Sequence, residues 1–233
     1  MSEAEQVIPI RKRLVAESVG TFGLVFTAMG SSIADALGNH VIGSFAVAVA
    51  PGLLIMAMTY ALDKVSGAYF NPAISIGFTL TKHLRPRDLP LYILAQLVGS
   101  IAAALAVYAS IGRNGNAGLT IPLGSGIWYQ AFILELILTF FLMLVGVAMK
   151  EEKGKTGYKS FGGIAIGGTI IFDDIVGIQI SGASMNPARS FGPALVSGNL
   201  TDNWIYWLAP ILGAIIAVTL FRIMEHELFY RKK

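Results

Sequence analysis

Hydrophobic positions along this chain gather into long blocks separated by short polar joints. A bilayer core is about 30 Å thick, so a spanning helix needs about 20 mostly apolar residues. Six blocks meet that length, at approximately residues 14–33, 41–62, 89–111, 127–149, 161–180 and 204–224. The joints carry Gly, Asn, Lys and Asp, residues that break regular structure. The first block follows Arg11-Lys12-Arg13 and has no small-residue cleavage site, so it reads as a retained helix and not a signal peptide. Two further apolar blocks, 71–80 and 186–196, are too short to cross. About 10 residues of helix span only about 15 Å, half a bilayer. These two enter the membrane and turn back.

Basic residues set the orientation. They cluster before the first block, between blocks two and three, between blocks four and five, and at the C-terminal end. Of the 17 Lys and Arg residues, only Arg113 and Arg189 fall elsewhere. Both termini are therefore expected in the cytoplasm, with the chain multi-pass in the cell membrane. The run 150–159, KEEKGKTGYK, reads as a solvated cytoplasmic loop.

The two halves echo each other. AESVGTFGLVF (16–26) matches LELILTFFLML (134–144), pairing Glu17 with Glu135. SGAYFNPAISIG (66–77) matches SGASMNPARSFG (181–192), and YILAQLVGSIAAAL (92–105) matches YWLAPILGAIIAVT (206–219). The offsets are 118, 115 and 114 residues. Each repeat, about 11–112 and 127–233, holds three spans, and an odd number inverts the second copy relative to the first. Such architectures place their site near the midplane on discontinuous helices. The fold expected is therefore an all-α membrane protein with six transmembrane helices and two re-entrant half-helices, one channel domain over 1–233.

Each short helix opens with Asn-Pro-Ala: Asn71-Pro72-Ala73 and Asn186-Pro187-Ala188. Asn is a strong N-cap and Pro suits the first helical position. The side-chain oxygen is expected to cap the helix while the NH2 points outward. Inversion brings two helix N-termini together, each carrying about half a positive charge. The preceding segments, Gly67-Ala68-Tyr69-Phe70 and Gly182-Ala183-Ser184-Met185, must enter as non-helical backbone, which requires an aqueous lumen or burial in protein. Their carbonyls are expected to form an acceptor ladder. This chemistry suits neutral solutes in single file and repels cations. A lone Asn-Pro-Ala is an ordinary cap; two in one frame of an inverted repeat make a specific signal.

Composition narrows the class. The chain is 55% hydrophobic and 13% charged, with mean hydropathy +0.67, against about 25% charged in soluble domains. A net charge of +3 gives no reason to expect nucleic acid as a partner. With no cysteine and three scattered histidines, no metal cluster is expected, and block by thiol capture has no target. No phosphate loop or catalytic constellation is present, so neither an enzyme nor a cofactor is implied.

Over roughly 14–221 these motifs resemble the aquaporin (major intrinsic protein) family. The resemblance implies a six-helix bundle with two half-helices, one pore per subunit and a homotetramer. It also implies an outer constriction built on the arginine after the second motif, here Arg189. Ser190, Ala194, Tyr206 and Trp207 resemble the water-selective type. Other filter positions depart from it: Pro51 stands where water channels usually carry an aromatic residue, Asp174 where they usually carry His, and Ala183 completes the set. Tyr69 replaces another frequent His. Glu17 and Glu135 are expected to accept bonds from the backbone of the re-entrant segments, as family members do.

Several readings stay open. Asp174 either lines the outer pore and interacts with Arg189, or Asp173 and Asp174 cap a break near Gly177 or pair with loop backbone. Pro51-Gly52 either kinks its helix or removes a filter wall. Trp128 and Trp204 read as an interfacial belt, Trp207 either as part of that belt or as packed inside, and Gly20, Gly99 and Gly213 as helix-crossing points. The expected function is a passive channel for water, excluding ions and protons and open to other small neutral solutes. The rivals are a glycerol or small-solute facilitator, an ion-coupled secondary transporter with the acidic residues as proton sites, and a closed-pore junction protein.

Overall fold

The computed structural model describes residues 8–123, 128–151 and 161–230. Its helices are α1 (Ile10–Leu37), α2 (Ser44–Ser66), α3 (Pro72–Leu80), α4 (Leu89–Ser110), α5 (Trp128–Glu151), α6 (Gly162–Gly177), α7 (Pro187–Ser197) and α8 (Ile205–Tyr230), with a 3-10 turn at Pro86–Asp88. Among the described residues there is no strand. Helices are the natural outcome in lipid, where every backbone N–H and C=O must find its partner within the segment. Large side chains such as Leu53, Leu94, Leu105, Ile133 and Ile175 project outward. In water that surface would aggregate; against acyl chains it carries no penalty.

Among the described residues, five helices are long and apolar enough to cross a membrane. The fifth block is the exception. Its helix α6 covers 16 residues, shorter than the expected 161–180 and about 24 Å long. The chain leaves helical geometry after Gly177, whose carbonyl accepts from both the Ile180 and Ser181 N–H groups. That tight turn feeds the chain back into the protein as the second re-entrant segment. Most of the 150–159 run, and the basic residues Arg231, Lys232 and Lys233, lie outside the described residues.

Long helices pack in pairs, and glycine sets how closely. A Cβ on Gly99 of α4 would lie 2.2 Å from the Ser18 carbonyl oxygen of α1, and one on Gly213 of α8 would lie 2.3 Å from the Leu136 oxygen of α5. Gly52 of α2 and Gly167 of α6 form a third such crossing, each meeting the other's carbonyl oxygen within 2.6 Å. Backbones that approach this closely leave room for no side chain. Gly20 corrects the sequence expectation. It is not a helix crossing; its missing Cβ makes the seat for the Phe70 ring, 2.1 Å away. Gly99→Val should therefore separate α4 from α1. Overpacking of this kind costs about 1–3 kcal/mol, a drop of roughly 3–10 °C in melting midpoint for a chain of this size. A thermal scan of the detergent-solubilised protein measures it, with Gly168→Val as the matched control, since nothing lies within 4 Å of a Cβ there.

Candidate functional site

The half-helices α3 and α7 begin at Pro72 and Pro187, with their N-caps Asn71 and Asn186 brought close to the other half's re-entrant segment. Asn71 sits in extended geometry, and its Oδ1 accepts from the N–H groups of Ala73 at 2.8 Å and Ile74 at 3.4 Å. Asn186 repeats this, with Ala188 at 3.0 Å and Arg189 at 3.3 Å. Pro72 and Pro187 fill the first helical positions, where no N–H is needed. The amide nitrogens then cross over. Asn71 Nδ2 donates to the Met185 carbonyl at 2.7 Å, and Asn186 Nδ2 donates to the Phe70 carbonyl at 2.8 Å. Each cap is thus tied to the other half's re-entrant segment, and each amide keeps one N–H without an acceptor among the described residues. This corrects the simpler expectation that the whole NH2 faces outward.

The re-entrant segments alternate into left-handed geometry. Gly67, Ala68 and Phe70 have φ of 96°, 53° and 52°; Gly182, Ala183 and Met185 have 81°, 44° and 54°. Such conformations cost non-glycine residues of order 1 kcal/mol or more each, so something must hold them. Two buried carboxylates do. Glu17 accepts from Ser66 Oγ (2.6 Å), Tyr69 N (3.0 Å), Phe70 N (2.7 Å) and Gln96 Nε2 (2.7 Å). Glu135 accepts from Ser181 Oγ (2.7 Å), Ser184 N (2.7 Å) and Met185 N (2.6 Å). Tyr92 and Tyr206 add a hydroxyl bond each, to the carbonyls of Ser66 (2.8 Å) and Ser181 (2.6 Å). Sequence reasoning missed Tyr92, Ser66, Ser181 and Gln96 as supports. The signal was present: the repeat already set Tyr92 opposite Tyr206 and Ser66 opposite Ser181.

Between these parts runs a lumen. Its walls are apolar along Leu24, Ile55, Ile74, Leu142 and Ile170, with Asn71 and Asn186 at the middle. Pro51, Asp174, Ala183 and Arg189 also line it, and Arg189 is shared with a wider vestibule that reaches Asp35, His40 and Asn116. Pro51 lies inside α2 and is buried. Asp174 and Arg189 are electrostatic neighbours, but no ion pair within 4.0 Å joins them, and the guanidinium has no protein hydrogen-bond acceptor among the described residues. Direct pairing is thus absent, and the two side chains line one passage. The capping alternative fails for Asp173, which is fully buried with both oxygens unpartnered.

Other expectations need correction here. The carbonyls of Gly67, Phe70 and Met185 are not open rungs of a ladder. Lys150 Nζ occupies Gly67 at 2.9 Å, and the crossed amides occupy the other two. No donor among the described residues reaches the carbonyls of Ala68, Tyr69, Gly182, Ala183 or Ser184. Ser190 and Tyr206 do not line the lumen either. Ser190 Oγ bonds Ser184 Oγ at 2.5 Å and Thr120 Oγ1 at 2.6 Å. Trp128 and Trp204 are exposed with ring centroids 5.8 Å apart. Trp207 instead packs inward on Phe191 and donates to Asn203 at 3.1 Å.

Comparison with known proteins agrees with this geometry. The family profile described as major intrinsic protein matches residues 4–221. Nodulin-26 of Glycine max is 38% identical over 220 residues, covering 94% of this chain and 80% of that protein. Aquaporin NIP1-1 of Zea mays is 36% identical over 219 residues, covering 94% and 76%. Among solved structures, the aquaglyceroporin from Plasmodium falciparum superposes with a TM-score of 0.80 at 24% identity, covering 91% of this chain and 96% of that one.

Proposed function

This chain belongs to the major intrinsic protein family, and from that premise we propose that its lumen passes water and other small neutral solutes passively, down their osmotic or concentration gradients. The observation that carries the reading is the pair of half-helix N-termini meeting in one lumen, with Asn71 and Asn186 crossed between them. A solute entering gives up bonds to bulk water. It regains them from one N–H of each amide and from the free carbonyls of Ala68, Tyr69, Gly182 and Ser184. A cation gains nothing comparable, because two positive helix ends and Arg189 face it. A water held by donors on its oxygen points both hydrogens outward, which breaks proton relay.

Solute size is set at the Arg189 end. Pro51 and Ala183 are small, and among the described residues no aromatic or imidazole wall lines the lumen beside them and Arg189. Ser190 and Tyr206, which resemble the water-selective type, support the re-entrant segment from outside the solute path. We therefore read the filter as wide enough for glycerol as well as water. The internal repeat over about 11–112 and 127–233, cytoplasmic termini and a homotetramer in the cell membrane belong to the same proposal. The matched supports of Glu17 and Glu135 favour the repeat.

Stopped-flow light scattering on reconstituted vesicles tests the reading, first with an impermeant osmolyte and then with glycerol. Both fluxes should exceed those of empty vesicles. Water flux alone would restore a strict water pore, proton-linked saturable uptake would replace the channel by a carrier, and no flux would sink the proposal. Asp174→Asn should lower glycerol flux and leave water flux within about twofold of the parent. A bond to a carboxylate exceeds one to a neutral amide by about 1 kcal/mol, roughly a fivefold change. Unchanged glycerol flux would remove Asp174 from the filter.

A further inference from the structure

Arg189 bounds the lumen at one end; the structure places a second cation at the other. Lys150 stands in the last turn of α5, with its side chain 9% exposed. Its ammonium is bonded to Asp63 Oδ1 of α2 and to the carbonyl of Gly67 at 2.9 Å, where the first re-entrant segment begins. It also stands 5.5 Å from the ring centre of Tyr69 and 5.8 Å from that of Phe78. Lys150 lines the lumen and also a further cavity beyond it, where Thr59, Tyr60 and Met149 form the walls. The ammonium thus sits on the boundary between the two spaces.

We propose that Lys150 is a specificity-determining residue of this channel, forming with Asp63 an inner neck that selects solutes by hydrogen bonding and size. The inference rests on the channel reading above. Asp63 balances the lysine charge, so the neck adds little net charge for an ion to meet. A water molecule passes beside the bonded ammonium. A polyol must part the ammonium from the carboxylate or from the Gly67 carbonyl, and those are charge-assisted bonds in a partly desolvated place. Glycerol is therefore slowed at this end as well as at Arg189.

The test uses Lys150→Met in the full chain, reconstituted and assayed for water and for glycerol. Methionine keeps an unbranched stem against the Tyr69 and Phe78 rings and removes the ammonium. The glycerol-to-water permeability ratio should rise about threefold or more, and Lys150→Arg should hold it near the parent value. A parent-like ratio in Lys150→Met, with water flux intact, overturns the proposal. Should that variant fail to fold, Asp63→Asn decides, because it unties the same ammonium from the other side: a raised ratio supports the proposal and an unchanged one overturns it. Failure of the parent to pass either solute would instead overturn the channel reading, and this inference with it.

Discussion

Glu17→Ala is expected to yield no folded protein. The carboxylate accepts four buried donors, two of them backbone N–H groups of residues next to or within left-handed geometry. A buried donor left without a partner costs about 1–3 kcal/mol. Four of them amount to roughly 4–12 kcal/mol, comparable to the 5–15 kcal/mol that holds an ordinary domain together. The loss also removes the acceptor that holds the Phe70 N–H in this left-handed segment, and Phe70 is the ring seated on Gly20. Glu135→Ala should fail in the same way, with three donors orphaned. Glu17→Gln is the informative contrast, since it keeps an acceptor of the same shape and should retain partial folding. Yield of monodisperse protein in detergent and its melting midpoint measure all three. A well-folded Glu17→Ala with the parent midpoint would show that the re-entrant segments need no carboxylate.

Asn71→Asp should convert a pore closed to ions into one that leaks monovalent cations. The substitution keeps a side-chain oxygen for the cap, so α3 should still start at Pro72. It removes the Nδ2 donor and sets a carboxylate against the Met185 carbonyl that the amide held at 2.7 Å. More important is the field. A unit negative charge about 4 Å from a passing cation is worth about 4 kcal/mol at an effective dielectric of 20, roughly a thousandfold in rate. That is large enough to cancel the positive ends of α3 and α7. Potassium current across planar bilayers, compared with Asn71→Gln, reads the effect. Absence of current, with water flux preserved, would place the ion barrier at Arg189 and not at the centre.

Much of this site is readable along the chain because the same physics acts on it twice. Asn followed by Pro is a local instruction, a cap and a first-turn residue, and it needs no distant partner. Its duplication at a nearly constant offset, with Glu17 and Glu135 keeping step, exposes the paired supports before any coordinates. The positions that escaped reading are those whose role depends on what arrives from elsewhere. Gly20 looks like Gly99 in sequence, yet one faces the Phe70 ring and the other the Ser18 carbonyl. Tyr92 reads as an apolar helix residue until its hydroxyl meets the Ser66 carbonyl. Lys150 reads as the first charge of a solvated run, and the fold turns it onto Asp63 and the lumen.

The sequence by itself determined the helical class, five of the six expected spans, the two half-helices and their caps. Hydropathy, period and capping act over a few neighbouring residues, and a bilayer forbids the alternatives. The tertiary structure alone decided which donors and acceptors remain for a solute, because crossed amide bonds use up the Met185 and Phe70 carbonyls across 114 and 116 residues of chain. It also decided where α6 stops, which of Asp173 and Asp174 meets the lumen, and which cations bound its ends. Those outcomes depend on how far apart side chains on different helices come to rest, a distance that no local pattern encodes.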